Sequence, residues 1–465
     1  MKTSQASPDV LRSRFARALS TMYKAEMPRY REMSELVAAV NSETRRAHPE
    51  LGRERADAGE PDRLNLERHG AIRVGTPQEL ASVRRLFAAM GMFPVGYYNL
   101  STAGIPVHST AFRPIDDDAL RRSPFRVFTS LLRLDLINDA DLREQATKIM
   151  ARRDILTPRC RALLDIRDRD DGFDETLADE FVSEAIETFR WRGAAATSAE
   201  TYARLQSAHP LLADIVCFKG PHINHLTLTT LDIDAAQGAL IARDLAPKPI
   251  IEGPPRRRCP ILLRQTSFKA LAEPISFADG ASGLHMARFG EIEQRGAALT
   301  QSGRALYDRL LRDVYARVPL PASDPVGFQH ALDRAFAAFP DDMDRLRREK
   351  LAYFSYVPAG GDRASTHAPS PRSLEDLVAS GFLRAEPILY EDFLPVSAAG
   401  IFRSNLAETE PGRAVEDDDR AGFEAALGAP VVDAQALYQE AERRSRATAL
   451  QALGVDEIDP PATET

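Results

Sequence analysis

Two short segments with the alternation typical of β-strands carry histidines that could bind a metal or orient a substrate. In LNLERHGAIRVG, alternation places His69 and Arg73 on one face of the strand. In GPHINHLTLTTLDID, it places His225 on the threonine face and His222 on the opposite, apolar face. Because a metal site requires a polar inward face, His225 is the better ligand candidate. The alternative for His69 and Arg73 is an exposed pair on the surface.

A third segment, FGEIEQRG, carries Glu291 and Glu293 on one strand face. Two neighbouring carboxylates are costly to bury unless a cation or hydrogen-bond donors neutralise them, and a solvated strand edge is the alternative. Two histidines and one carboxylate on three strands would match the facial triad of non-haem Fe(II) oxygenases, which leaves positions open for substrate and dioxygen. Because the candidates lie far apart in the chain, spacing alone indicates a metalloenzyme and no more.

The composition limits the other possibilities. The chain has 465 residues, of which 44% are hydrophobic and 28% charged, as in folded soluble proteins. Its 60 basic and 68 acidic residues give a net charge of -8, which argues against a nucleic-acid binder held by bulk charge. No apolar run approaches the ~20 residues of a membrane span, and no secretory signal is recognised. The three cysteines are too few for a disulfide framework. We therefore expect a cytoplasmic protein without a membrane or nucleic-acid partner.

The elements that must position these residues can be read from periodicity. Apolar residues at three-to-four spacing predict helices over about 8–58, with a stripe of Leu11, Phe15, Leu19, Met22 and Tyr23, and over about 139–210, 298–318 and 328–348. Thr76-Pro77-Gln78-Glu79 is a helix-start pattern. Strands are predicted at 66–74, 94–100, 107–115, 125–137, 223–231, 261–267, 284–293, 351–357, 382–390 and about 393–402.

The order of these elements predicts the domain organisation. Near residues 66 and 222, the predicted order is a strand, a helix and then further strands. This recurrence suggests a duplicated module in one curved sheet. We expect a helical arm over 1–60 packed on the core and a single catalytic domain over 61–450. Helical insertions are predicted at about 139–210 and 298–348, and a disordered tail at 451–465.

Several long segments resemble one family. HGAIRVGTPQEL, HPLLADIVCFKGPHINHLTLTTLDID, EGPPRRRCPILLRQTSFKAL, ARFGEIEQRGAALT and YEDFLPVSAAGIFRSNL are similar to the 2-oxoadipate dioxygenase/decarboxylase family, over about 15–450. That family is related to the vicinal-oxygen-chelate enzymes. The resemblance implies an α+β fold with a half-open β-barrel around the metal, decorated with many helices.

The resemblance also implies the site. His69, His225 and Glu293 match the Fe(II) ligands, and Arg73 matches the arginine that binds a substrate carboxylate and serves catalysis. Val396 and Ser397, in FLPVSAAG, match residues that line the substrate pocket. Arg264, in the well-matched block LLRQTSFKA, is a further candidate for substrate binding.

The implied reaction is the conversion of 2-oxoadipate and O2 to D-2-hydroxyglutarate and CO2 in lysine catabolism. It would proceed by chelation of the 2-oxo acid, oxidative decarboxylation and internal hydroxylation. Two alternatives stay open at this point. One is a metal-dependent isomerase or lyase on the same scaffold, and the other is a non-catalytic protein that binds 2-oxo diacids. The sequence gives no prediction of the oligomeric state.

Overall fold

A computed structural model describes residues 5–49, 67–101, 104–318, 324–359, 373–394 and 419–455. The chain forms two compact units. The first consists of Met1–Glu252, Arg264–Gln294 and Asp392–Val432, and the second of Gly253–Leu263, Arg295–Glu391 and Asp433–Thr465. The predicted helical arm falls in the first unit. The predicted boundaries at 60 and 450 stay predictions, and most of the tail expected at 451–465 lies outside the described residues.

A seven-stranded sheet organises the first unit, in the order β2-β3-β4-β1-β5-β9-β6. Its strands are β1 (Glu67–Val74), β2 (Phe93–Asn99), β3 (Val107–Arg113), β4 (Arg126–Leu132), β5 (His225–Thr229), β6 (Leu263–Ser267) and β9 (Phe289–Arg295). The sheet curls into a half-barrel, so the predicted mixed fold with a half-open barrel is confirmed.

Two strand-helix modules build this sheet, as the element order suggested. In the first, β1 is parallel to β4, and in the second, β5 is parallel to β9. The modules join where β1 pairs antiparallel with β5 at the centre of the sheet. This junction brings the first strand of each module side by side.

One predicted strand is divided in the structure. The segment expected at 284–293 forms β8 (Ser282–Met286) and, after a break, β9; β8 pairs with β7 (Ala272–Ser276) as a separate hairpin. The turn between them contains Asp279-Gly280, and Gly280 has a φ of 85°, which glycine adopts at little cost. The prediction missed β7 because this turn signal was overlooked.

Helices surround the sheet. Those of the first unit are α1 (Pro8–Glu26), α2 (Pro28–Ala47), α3 (Pro77–Ala89), α4 (Asp117–Arg122), α5 (Ala140–Met150), α6 (Pro158–Asp170), α7 (Glu175–Glu187), α8 (Ala199–Ala208), α9 (Pro210–Val216), α10 (Ile233–Ala242) and α15 (Asp419–Leu427). The predicted start of α3 is confirmed, because the Thr76 hydroxyl accepts a hydrogen bond from the Glu79 amide and the Glu79 carboxylate accepts one from the Gly75 amide.

The N-terminal helices hold the backbone of the strands that carry the candidate ligands. The predicted apolar stripe of α1 is buried in the main core. From the same helix, the Tyr23 hydroxyl donates to the carbonyl oxygens of Asn224 at 3.0 Å and Phe289 at 2.7 Å. From α2, the Asn41 amide nitrogen donates to the Thr229 carbonyl at 3.0 Å. The arm therefore fixes both ends of β5 as well as covering apolar surface.

The second unit contains five helices and a small hairpin among its described residues. They are α11 (Gln301–Arg317), α12 (Pro325–Phe336), α13 (Met343–Arg348), α14 (Leu374–Ala379) and α16 (Ala434–Ala452), with β10 (Phe354–Pro358) antiparallel to β11 (Leu383–Pro387). The helix expected at 328–348 is divided into α12 and α13 around Pro340, which cannot donate a helical hydrogen bond. Among the described residues, no helix is both long and apolar enough to span a membrane.

Tyr23→Phe should destabilise the first unit, because it leaves the buried carbonyl oxygens of Asn224 and Phe289 without their hydroxyl donor. We expect a loss of about 1–3 kcal/mol in the free energy of unfolding, measured by denaturant titration. Thr21→Val is the control, since the Thr21 hydroxyl is exposed and bonds only to its own helix. Equal stability of the two variants would contradict this role for Tyr23.

Candidate metal centre

Strand register places the predicted ligands on one inner face of the half-barrel. Across β1 and β5, His69 is opposite Thr227, and Ala71 is opposite His225. Across β5 and β9, Thr227 is opposite Glu291, and Thr229 is opposite Glu293. Directly opposite residues point to the same side of a sheet, so the histidines and both carboxylates converge.

The acidic and imidazole groups lie within contact distance of one another. Nε2 of His69 is 3.2 Å from Oε1 of Glu291, and Nδ1 of the same ring is 3.2 Å from Oε2 of Glu293. Nε2 of His225 is 3.9 Å from Oε1 of Glu291. Of the two carboxylates, it is Glu291 that forms a set with His69 and His225 in which all ligand atoms lie within 4.8 Å.

Burial settles the two alternatives that the sequence left open here. His69, His225, Glu291 and Glu293 are all at most 1% exposed. They are therefore neither a surface pair nor a solvated strand edge. Burial lowers the pKa of His225 to about 3, so the imidazole is neutral near pH 7 and can act as a metal ligand.

The cluster has the properties of a cation site. Among the described residues, Nδ1 of His225 and Oε2 of Glu291 make no hydrogen bond although both are buried. Buried polar atoms without a partner are costly, and a bound cation would satisfy them. The donor set of imidazoles and carboxylates suits a divalent transition metal.

Neighbouring side chains hold these groups in position. Oε1 of Glu291 accepts hydrogen bonds from the Thr227 hydroxyl at 2.9 Å and the Gln265 amide at 2.8 Å. The Phe393 ring lies edge-on to His69 with centroids 4.7 Å apart, and Phe289 stacks on His225 at 4.6 Å. Such outer contacts orient ligands and exclude water from a metal site.

A buried lysine, Lys248, lies on the segment whose backbone bonds to β6, the strand that carries Gln265. The Lys248 amide donates to the Ser267 carbonyl, and its side chain is 4% exposed. Burial lowers the pKa of Lys248 to about 7, against the opposing influence of Glu252 and Glu291. The composition of the PKPIIEG segment gave no signal that this lysine is buried.

Arg73 extends from the inner face of β1 to a second buried cluster. Its Nη1 donates to Oδ2 of Asp214 at 2.6 Å. Oδ1 of Asp214 lies 3.1 Å from Nε2 of His222 and 3.0 Å from Nε2 of His285. Burial alone would raise the pKa of Asp214, but His222 and Arg73 lower it well below its usual value. Asp214 is therefore a carboxylate.

Charge distinguishes the two histidine clusters, both of which have ligand atoms close enough for a metal. In the Asp214 cluster, the Arg73 guanidinium already balances the one carboxylate. In the His69 cluster two buried carboxylates adjoin the two imidazoles, and Nε of Arg68 is 3.9 Å from Oε1 of Glu293. A divalent cation would therefore offset the negative charge of the two carboxylates in the His69 cluster. Beside Arg73 the same cation would add positive charge that no free carboxylate among the described residues balances.

The sequence also predicted three substrate-binding residues, which are Arg264, Val396 and Ser397. Arg264 precedes Gln265 on β6 and so lies on the other face of the strand. Its two terminal guanidinium nitrogens donate to the Asp234 carboxylate at 2.7 and 2.9 Å. The structure thus places it away from the inner face, because neighbouring strand residues alternate sides. Val396 and Ser397 lie outside the described residues.

The sequence reading missed two members of the Asp214 cluster. Asp214 itself is a charged residue inside an otherwise apolar helix, PLLADIV, and that contrast is a readable signal for a buried polar role. His285 is the one buried residue of the short strand β8, SGLHM. β5 begins at His225, so strand alternation does not extend to His222, which lies in the Asp214 cluster; the preference for His225 as the metal ligand stays a prediction.

Comparison with known proteins identifies the family to which the chain belongs. The sequence profile of the 2-oxoadipate dioxygenase/decarboxylase family matches residues 15–405. A protein of that name from Escherichia coli (strain K12) is 53% identical over 439 residues, covering 94% of this chain and 97% of the relative. Another from Pseudomonas putida is 51% identical over 455 residues, covering 97% and 98%.

A solved structure is similar over nearly the whole chain. The hydroxyglutarate synthase from Pseudomonas putida, crystallised in complex with 2-oxoadipate, superposes with a TM-score of 0.89 at 49% identity and covers 97% of this chain and 99% of that one. Full-length similarity at this level, together with the profile match, shows the family. This chain belongs to the 2-oxoadipate dioxygenase/decarboxylase family.

Proposed function

We propose that this protein is an Fe(II)-dependent enzyme that converts 2-oxoadipate and O2 to D-2-hydroxyglutarate and CO2. The observation that carries the proposal is the buried inner-face cluster of two imidazoles and two carboxylates, in a chain of this family. One carbon leaves as CO2, and both atoms of O2 are retained in the two products. The reaction therefore balances without a second organic substrate.

The proposed ligands are His69, His225 and Glu293, following the family pattern. Glu291 is the second candidate for the carboxylate ligand, and the distances in the structure favour it. When bound, Fe(II) would bind the 2-oxo acid and O2 and would supply the redox chemistry between them. Two neutral imidazoles and one carboxylate would leave a single net positive charge, which suits an anionic chelator.

The chain's own residues would bind and orient the substrate. Arg73 projects from the strand that carries His69, and its guanidinium can bind a carboxylate through two parallel hydrogen bonds. Phe393 and Phe289 pack on the imidazoles and keep water from the reacting centre. Val396 and Ser397 are proposed to line the pocket, on the resemblance alone.

Anaerobic loading of the metal-free protein with Fe(II), followed by 2-oxoadipate and O2, tests the activity. We expect one CO2 released per O2 consumed and D-2-hydroxyglutarate on chiral chromatography. Chelator-treated protein is the control and should be inactive. Turnover that needs no O2 would indicate a lyase or isomerase, and ligand binding without CO2 release would indicate a binding protein. Either result would refute the proposal.

Paired substitutions distinguish the two carboxylates. Glu293→Gln should remove bound iron, measured as metal per chain, and abolish activity, because an amide is a poor ligand for this metal. Glu291→Gln should keep the iron and reduce activity less, since an amide oxygen can still accept from Thr227 and Gln265. The reverse pattern, with iron lost only in Glu291→Gln, would assign the ligand to Glu291.

Arg73→Lys keeps the positive charge but loses the planar donor geometry, so we expect kcat/KM for 2-oxoadipate to fall by about 100-fold with iron still bound. Arg85→Lys is a matched control, because Arg85 binds Asp165 and Asp168 at the surface. Near-normal kcat/KM in Arg73→Lys would exclude Arg73 from carboxylate binding.

A further inference from the structure

A carboxylate from a different element holds the Arg73 side chain. Asp214 is in α9, every residue of which is buried apart from Pro210 at its start. Its Oδ2 accepts from Nη1 of Arg73 at 2.6 Å and from the Asn224 amide at 3.2 Å. An arginine side chain has several rotatable bonds, so a buried charged partner restricts the guanidinium to few orientations.

Asp214 is in turn fixed on its other oxygen. Nε2 of His222 and Nε2 of His285 lie 3.1 and 3.0 Å from Oδ1, distances typical of N–H donors to a carboxylate. The hydroxyl of Tyr202 lies 2.9 Å from Nδ1 of His285 and can donate to it when Nε2 carries the proton. Each oxygen of Asp214 thus has two side-chain partners.

Aromatic packing keeps the two imidazoles in place. The Trp191 ring lies edge-on to His222 with centroids 4.6 Å apart and is parallel to His285 at 5.9 Å. The Phe218 ring is 4.6 Å from His285. This series of contacts, from the aromatic rings through the imidazoles to Asp214, restricts the movement of the carboxylate relative to β1.

We propose that Asp214 is a positioning residue that holds the Arg73 guanidinium in the orientation that binds a substrate carboxylate, with His222 and His285 holding Asp214. This inference rests on the proposed function, because it assigns Arg73 to substrate binding. Asp214 acts through Arg73 and has no contact with the reacting atoms. Its loss therefore weakens substrate binding more than it slows the chemical step.

The distances would also fit a second metal held by Asp214, His222 and His285. The position of Arg73 argues against it, because a dication would share the carboxylate with a guanidinium that already balances its charge. We therefore expect one metal per chain after loading. A second equivalent that is lost in His285→Gln would overturn the positioning role.

Asp214→Asn is the main test, measured on iron-loaded protein with wild type in parallel. We expect KM for 2-oxoadipate to rise on the order of tenfold to a hundredfold, with a much smaller change in kcat and unchanged iron content. Calorimetry under anaerobic conditions should show the same loss of affinity without turnover. Asp234→Asn, which removes an ion pair with Arg264 on the other side of the sheet, is the control and should change neither constant.

A double-mutant cycle shows whether Asp214 acts through Arg73. In an Arg73→Ala background, Asp214→Asn should add no further loss of affinity, because the group it positions is absent. Additive losses would overturn the proposal, since they would mean that Asp214 contributes independently of Arg73.

His285→Gln provides a second variant in case Asp214→Asn does not fold. It removes one donor to Asp214 but leaves the contact with Arg73, so KM should rise several-fold. A wild-type KM in folded His285→Gln, or in folded Asp214→Asn, would refute this inference and leave the proposed function intact. Failure of the wild type itself to convert 2-oxoadipate would refute both.

Discussion

The antiparallel pairing of β1 with β5 is the constraint on which the candidate site depends. It places His69 opposite Thr227 and puts His225 two residue pairs along on the same face, and β9 adds Glu291 opposite Thr227. A shift of one residue in this pairing would send a whole strand's side chains to the other face of the sheet. Each module therefore contributes one of the two imidazoles, and neither module alone forms the cluster.

The N-terminal helices help to hold that pairing. Tyr23 bonds to the chain immediately before β5 and at the start of β9, and Asn41 bonds to the last residue of β5. On β1, the carboxylate of Glu67 accepts from the Ser20 hydroxyl at 2.5 Å. Buried polar side chains in the arm thus bond to the backbone and to a side chain of these strands, which links the stability of the arm to the geometry of the site.

The two histidine clusters show how charge decides what similar residues do. Both contain two imidazoles and at least one carboxylate, all buried. Where Arg73 supplies the positive charge, Asp214 is satisfied by hydrogen bonds and serves to hold a side chain. Where Glu291 and Glu293 lie buried beside His69 and His225, a cation would offset the cost of burial. The same residue types therefore differ in what they can do according to the charged groups beside them.

The sequence by itself determined the family, the main helices and strands, and the face on which His69, His225 and the two glutamates lie, because periodicity and long matched segments are local properties. Only the tertiary structure decided that these faces are buried together, that Arg264 points away, and that Asp214 meets both Arg73 and His285. Those outcomes depend on strand order and on contacts between residues far apart in the chain, such as Arg73 and Asp214. Local pattern carries no information about which distant partner a charged side chain will find.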